Sequence, residues 1–131
     1  MDAELEAEVL ARYITPTKRE RCVRFASNPQ TRTKLLDELR QPSIFDTRCV
    51  IDIAPGDRTP EKLVQTFSEL GMGGRVYVMS TNSAWDGCKF QMSWFVATFH
   101  ATGFDTLAFF WKSKTAFYEQ HHSGFTYFLK K

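Results

Sequence analysis

The last third of the chain sets the terms for everything before it. From Phe104 to Leu129 the sequence reads as three short extended runs, FDTLAFFW, TAFYEQ and GFTYFLK, joined by polar, turn-forming residues. Twelve of the nineteen aromatic residues fall between Trp94 and Phe128, and rings of that size carry a large share of the burial in a small core. The connections Lys112-Ser113-Lys114 and His121-His122-Ser123-Gly124 are short enough for hairpins, which predicts an antiparallel meander. Strand alternation places Leu107, Phe109 and Trp111 on one face, with Ala108 and Phe110 on the other. In the last run Phe125, Tyr127 and Leu129 oppose Thr126 and Phe128. Both faces carry rings, so helices are expected on one face and partial cover or a dimer contact on the other.

The earlier chain supplies those helices. Asp2 to Tyr13 is rich in Ala, Leu and Glu, with acids gathered at the positive end of the helix dipole. Thr15-Pro16, Asn28-Pro29 and Thr59-Pro60 each pair a capping side chain with a proline that loses no useful N–H in the first turn. They predict helices from 16 to about 26, from 29 to about 40, and from 60 to about 70. The third has the cleanest amphipathic pattern, with Leu63, Val64, Phe67 and Leu70 inward and Gly71 as a left-handed stop. Arg48 to Ile53 reads as a short strand with Cys49, Ile51 and Ile53 on one side. Arg75 to Ser80 reads as a strand, and Cys88 to Met92 as a brief extension. Trp94 to Thr102 is apolar around most of its circumference, which predicts a buried helix. The expectation is an α+β domain over 1–131, with a helical part at 1–42 and a sheet-forming part at 48–131 that holds two helices. Its sheet is mainly antiparallel, has four or five strands and ends in the meander, with three or four N-terminal helices and one between strands on one face.

Charge and cysteine usage bound the function. The net charge of +2 hides eight bases against three acids over residues 12–40, after four acids and no bases in residues 1–8. Such a basic helical region suits an acidic partner. Three widely spaced cysteines show neither a disulfide framework nor a metal motif. The acidic start lacks the pattern of an export signal, and no run approaches the roughly eighteen apolar residues that cross a bilayer. A cytoplasmic protein with no membrane association is expected.

The motifs that resemble chemistry mostly dissolve. Gly71-Met72-Gly73-Gly74 follows a helix and precedes a strand, whereas a phosphate cradle needs strand, glycines and then helix. The aromatic strands RVYVMS and GFTYFLK lack the basic residue and the following elements of an RNA-binding sheet, so nucleic acid is not the expected partner. His121-His122 has no further ligand at metal spacing, and neither a metal nor a cofactor is expected. One segment keeps a catalytic possibility. Ser80 to Asp86 gathers hydroxyls, an amide and a carboxylate past a strand end, and with His100 or His121 as base it holds the parts of a small acyl-transfer or hydrolytic enzyme, or of a ligand-binding domain. Ser80, Asp86 and His100 are therefore the catalytic candidates.

The reading that accounts for more of the chain is a non-catalytic interaction module, of the regulator, inhibitor or immunity type. Its partner is another protein, an acidic one by charge complementarity, or a second copy through the sheet. Arg21, Arg24 and Arg32 are expected to project from the helices toward that partner, and Trp85 and Trp111, at turn edges, to act as anchors.

Overall fold

A computed structural model describes residues 1–99, 103–121 and 124–131, apart from the side chain of Phe99. Among the described residues there are five α-helices: α1 (Ala3–Tyr13), α2 (Pro16–Ala26), α3 (Arg32–Leu39), α4 (Pro60–Glu69) and α5 (Met92–Phe99). Six strands form one sheet: β1 (Val50–Asp52), β2 (Arg75–Ser80), β3 (Lys89–Gln91), β4 (Thr106–Phe110), β5 (Thr115–Glu119) and β6 (Thr126–Lys130). Their order is β1-β6-β5-β4-β2-β3, and every neighbouring pair is antiparallel. The α+β class and the terminal meander are as expected. The strand count is six because both brief extensions join the sheet, one at each edge.

Alternation sorts the sheet's side chains as the period of two requires. Tyr77, Met79, Leu107, Phe109, Ala116, Tyr118, Tyr127 and Leu129 share one core with residues of α1, α2 and α3. Val76, Val78, Ala108, Phe110, Phe117 and Phe128 share another with Leu63 and Phe67 of α4 and with Phe95 and Val96 of α5. Helices therefore cover both faces, and the expectation of one covered face is corrected. The reason is physical: strands apolar on both sides lose free energy unless both sides leave water. The amphipathic stripe of α4 supplies the second cover from within the chain.

Two further expectations are revised. A single turn of 3-10 helix, Thr47–Cys49, interrupts the period before β1. Cys49 consequently packs in the α1–α3 core, whereas Ile53 lies in the α4–α5 core. Helix α5 is buried along one side only: Phe95 and Val96 are inward, while Trp94 is 43% exposed and stacks on Phe90 at 4.6 Å. An outer-layer helix touches the sheet through one stripe, however apolar the rest of it is.

The helix ends show which local signals hold. Asp2 caps α1 by accepting from the Leu5 N–H at 3.0 Å. Asn28 caps the 3-10 turn that leads into α3, accepting from Gln30 N–H at 2.9 Å. Thr59 accepts from Lys62 N–H at 3.3 Å. Thr15 makes no side-chain cap. Its backbone N–H is instead drawn to the Ile44 carbonyl at 2.8 Å, beside the Ile14–Phe45 bridge. Tertiary pairing fixes this helix start, and the hydroxyl is spare. Thr59→Ala is thus expected to cost about 1 kcal/mol in chemical denaturation, and Thr15→Ala to show no capping loss.

Candidate functional site

The segment after β2 is where the sequence concentrated its polar groups, and the structure shows what holds them. Ser80 closes β2 and is buried; its Oγ lies 3.2 Å from Thr106 Oγ1 and accepts from Asn82 N–H at 3.1 Å. Asn82 Oδ1 accepts from Ala84 N–H at 3.0 Å, a side-chain turn that reverses the chain. Gly87, at φ 80°, completes a bulge: its N–H donates to the Val78 carbonyl, and Val78 N–H donates to the Cys88 carbonyl. These bonds aim Asp86 back at the strand, where its Oδ1 accepts from Ser80 N–H at 3.0 Å.

Asp86 is also claimed from across the fold. Arg32 donates through Nε to Oδ2 at 2.9 Å and through Nη2 to Oδ1 at 2.7 Å, a two-pronged grip on one carboxylate. The remaining prong, Nη1, donates to Glu6 of α1, and Glu6 accepts a second bond from the Tyr77 hydroxyl. That hydroxyl accepts from Asp2 N–H at 3.2 Å. One guanidinium, 11% exposed, so joins α1, α3, β2 and the Ser80–Asp86 loop. Burial alone would lower its affinity for the proton, but the hydrogen bonds it donates to Asp86 and Glu6 outweigh that and hold it above its ordinary pKa. Burial, then the bond to Glu6, pushes the Tyr77 phenol well above its usual value. A neutral phenol and a fixed cation are what this cluster keeps in place.

The structure separates the expected site residues by position. Ser80 and Asp86 meet, but through the Ser80 backbone N–H and not through the hydroxyl. His100 and His122 lie outside the described residues. His121 presents its ring to Gly103, and its backbone N–H donates to Asp105 Oδ1 at 2.8 Å. Arg32 was expected on an outward face; it points inward and its charge is consumed, so it is removed from the contact surface. Arg21 is exposed and pairs with Glu38 at 2.7 Å across α2 and α3. Arg24 is exposed. Trp85 is half-buried and meets Phe104 edge-on at 6.0 Å. Trp111 is half-buried against the α1–α3 core, with Lys89 Nζ 5.6 Å from its ring centre. Among the described residues no group of three or more His, Cys, Asp or Glu side chains is placed to hold a metal, and no helix is long and apolar enough to cross a membrane. Cys22 and Cys49 are buried thiols whose pKa values burial raises.

Linear reading also missed a charged surface that only the topology creates. After residue 40 the bases and acids alternate in number, nine against eight, and look neutral. The antiparallel order gathers five of these bases at one end of the sheet. Lys130 is paired with Thr115, next to Lys114, and the β2–β4 register carried two residues on sets Arg75 beside Trp111. The Lys112 stem lies 4.0 Å from the Cβ position of Gly74. Arg75, Lys112, Lys114, Lys130 and Lys131 are all exposed at this end. Between β6 and β2 the row crosses three strand spacings, about 14 Å. Lys114 is paired with Glu8 at 2.6 Å. Among the described residues no carboxylate lies within ion-pair distance of Arg75, Lys112, Lys130 or Lys131. Asp52, Asp105 and Glu119 mark the opposite end. No protein-family model, curated protein or solved structure matches this chain.

Proposed function

We propose that this is a non-catalytic protein-interaction module that meets an acidic partner with the basic end of its sheet. The carrying observation is the row Arg75, Lys112, Lys130 and Lys131 along one end of the sheet, with the half-buried Trp111 across from Arg75. A cationic row with an aromatic anchor suits both electrostatic steering and a contact core. Arg24 and Arg21 on α2 extend the basic character, but Arg21 already holds Glu38. The bonds around Ser80 and Asp86 support a structural role for that loop, since the serine Oγ and both carboxylate oxygens have partners within the fold.

The test captures the stoichiometric partner with the wild-type protein at low salt and compares two double variants. Lys112→Glu with Lys130→Glu is expected to slow association at least ten-fold while leaving the melting temperature nearly unchanged, because exposed charges contribute little to stability. Arg21→Glu with Arg24→Glu is expected to have the smaller effect. Raising salt on the unaltered protein is expected to weaken capture in parallel. A partner that binds the sheet-end variant normally overturns the proposal.

A further inference from the structure

A groove of about 570 Å³ opens beside β1, lined by Pro42, Phe45, Val50, Asp52, Phe125 and Tyr127, with two hydroxyl residues at its rim. Its walls are aromatic. Phe125 is 43% exposed and lies 5.9 Å from the Tyr127 ring, which stacks on Tyr118; Phe45 packs edge-on against Tyr118. Among the described residues of the lining the one carboxylate is Asp52, and it stands directly across from Tyr127 in the β1–β6 register.

The groove adjoins an unpaired strand edge. Ile53 N–H donates to the Thr126 carbonyl, so in the alternation of an antiparallel ladder Ile51 also bonds toward β6, while Val50 and Asp52 turn their backbone groups outward. Val50 N–H is used by the Thr47 carbonyl. The Val50 carbonyl and both backbone groups of Asp52 remain, and they have no backbone partner among the described residues. The side chains of Val50 and Asp52 point to the groove face. Ile51, 44% exposed, points to the opposite face.

We propose that β1 accepts an extended segment of another protein by strand addition, and that this segment places an arginine beside Asp52. Three backbone bonds from a three-residue edge give register, and the groove must give the affinity. A residue paired with Asp52 projects into the groove on the same face as the Asp52 carboxylate and the Phe125 and Tyr127 rings. A guanidinium suits that place, because it both pairs with a carboxylate and stacks on aromatic faces. The residue paired with Val50 meets Phe45 and Pro42 and is apolar; the one between them covers Ile51 and is apolar as well. Arg48, at the far end near Thr47, is held by two side-chain bonds to Asp46. That grip draws the Asp46 carboxyl down to about 2 and leaves Asp52 as the acid available to the segment. The inference rests on the reading of the protein as an interaction module and adds a second contact surface to it.

The experiment is an NMR titration of the full protein with a blocked peptide, Thr-Arg-Ile-Val-Thr. Saturable shifts are expected at the amides of Val50 and Asp52 and at the Phe125 ring. The peptide with Glu in place of Arg, or the Asp52→Asn protein with the original peptide, is expected to bind at least ten-fold more weakly. Methylating the backbone nitrogen of the peptide's arginine is expected to abolish binding with every side chain kept. Arginine methyl ester binding as tightly as the peptide overturns strand addition, as do shifts that map elsewhere or an equal affinity for the Glu peptide. A sedimentation dimer that occupies the β1 edge without peptide also overturns it. The titration leaves the basic end of the sheet untouched, so its failure and that of the acidic-partner reading are separate results.

Discussion

Replacing Arg32 by methionine is expected to destabilise the fold by about 3–5 kcal/mol, the penalty for removing one partner from a buried ion pair. The stem is nearly preserved, so the loss is electrostatic. Glu6 and Asp86, both largely shielded from solvent, are left without their cation, and Tyr77 donates to a carboxylate that has lost its counter-charge. Since domains of ordinary size are stable by only about 5–15 kcal/mol, the midpoint of chemical denaturation should fall far, with the slope unchanged. The control is the triple variant Glu6→Gln, Arg32→Met, Asp86→Asn. It removes all three charges together and is expected to recover much of the loss, because the cost lies in an unpaired buried charge and not in the absent pair. A triple variant no more stable than Arg32→Met alone contradicts this account. Arg32→Met with a stability change under 1 kcal/mol places Arg32 in water.

Phe67→Ala is the second large expectation, at about 3–5 kcal/mol. Phe67 is buried, and its ring meets Phe110 at 5.2 Å, Phe128 at 5.4 Å and Phe117 at 5.6 Å. Those three rings come from three adjacent strands, so one helical side chain fills the space over the middle of the sheet. Truncation removes its transfer free energy and leaves a void whose walls are held by paired strands and cannot close in. Phe67→Leu retains most of the volume and is expected to lose clearly less. Denaturation midpoints of the two variants decide it: equal losses mean that the site collapses freely.

Much of the fold was legible because local chemistry and tertiary need agree. Gly71 is read as a left-handed stop, and α4 ends there with Met72 N–H on the Phe67 carbonyl at 2.7 Å and Gly71 N–H on Ser68 at 3.1 Å. The strand at Arg75–Ser80 has the bounds its β-branched and aromatic run implies. Two members of the central charge cluster are also legible. Glu6 precedes Val9, Leu10 and Tyr13 by three, four and seven residues, and Arg32 precedes Leu35, Leu36 and Leu39 by the same steps. Each charge therefore stands on the apolar stripe of its helix. A charge in that place has to find an opposite one, and these two share a bond. Counting charge by segment hid this, because it treats a base on the buried stripe and a base on the outer face alike. Asp86 as the third member was not legible, since nothing in a turn's composition says which way its carboxylate will aim.

The cluster also has a bearing on the order of events during synthesis. Glu6 and Arg32 emerge early, yet Tyr77 and Asp86 lie 71 and 54 residues beyond the respective partners they join. The first three helices have apolar stripes whose sheet platform, β4 to β6, is made last. Until then these helices can bury their stripes only against one another or against something foreign. The chain is thus most exposed to wrong association until β4 to β6 are made and the helices dock on them.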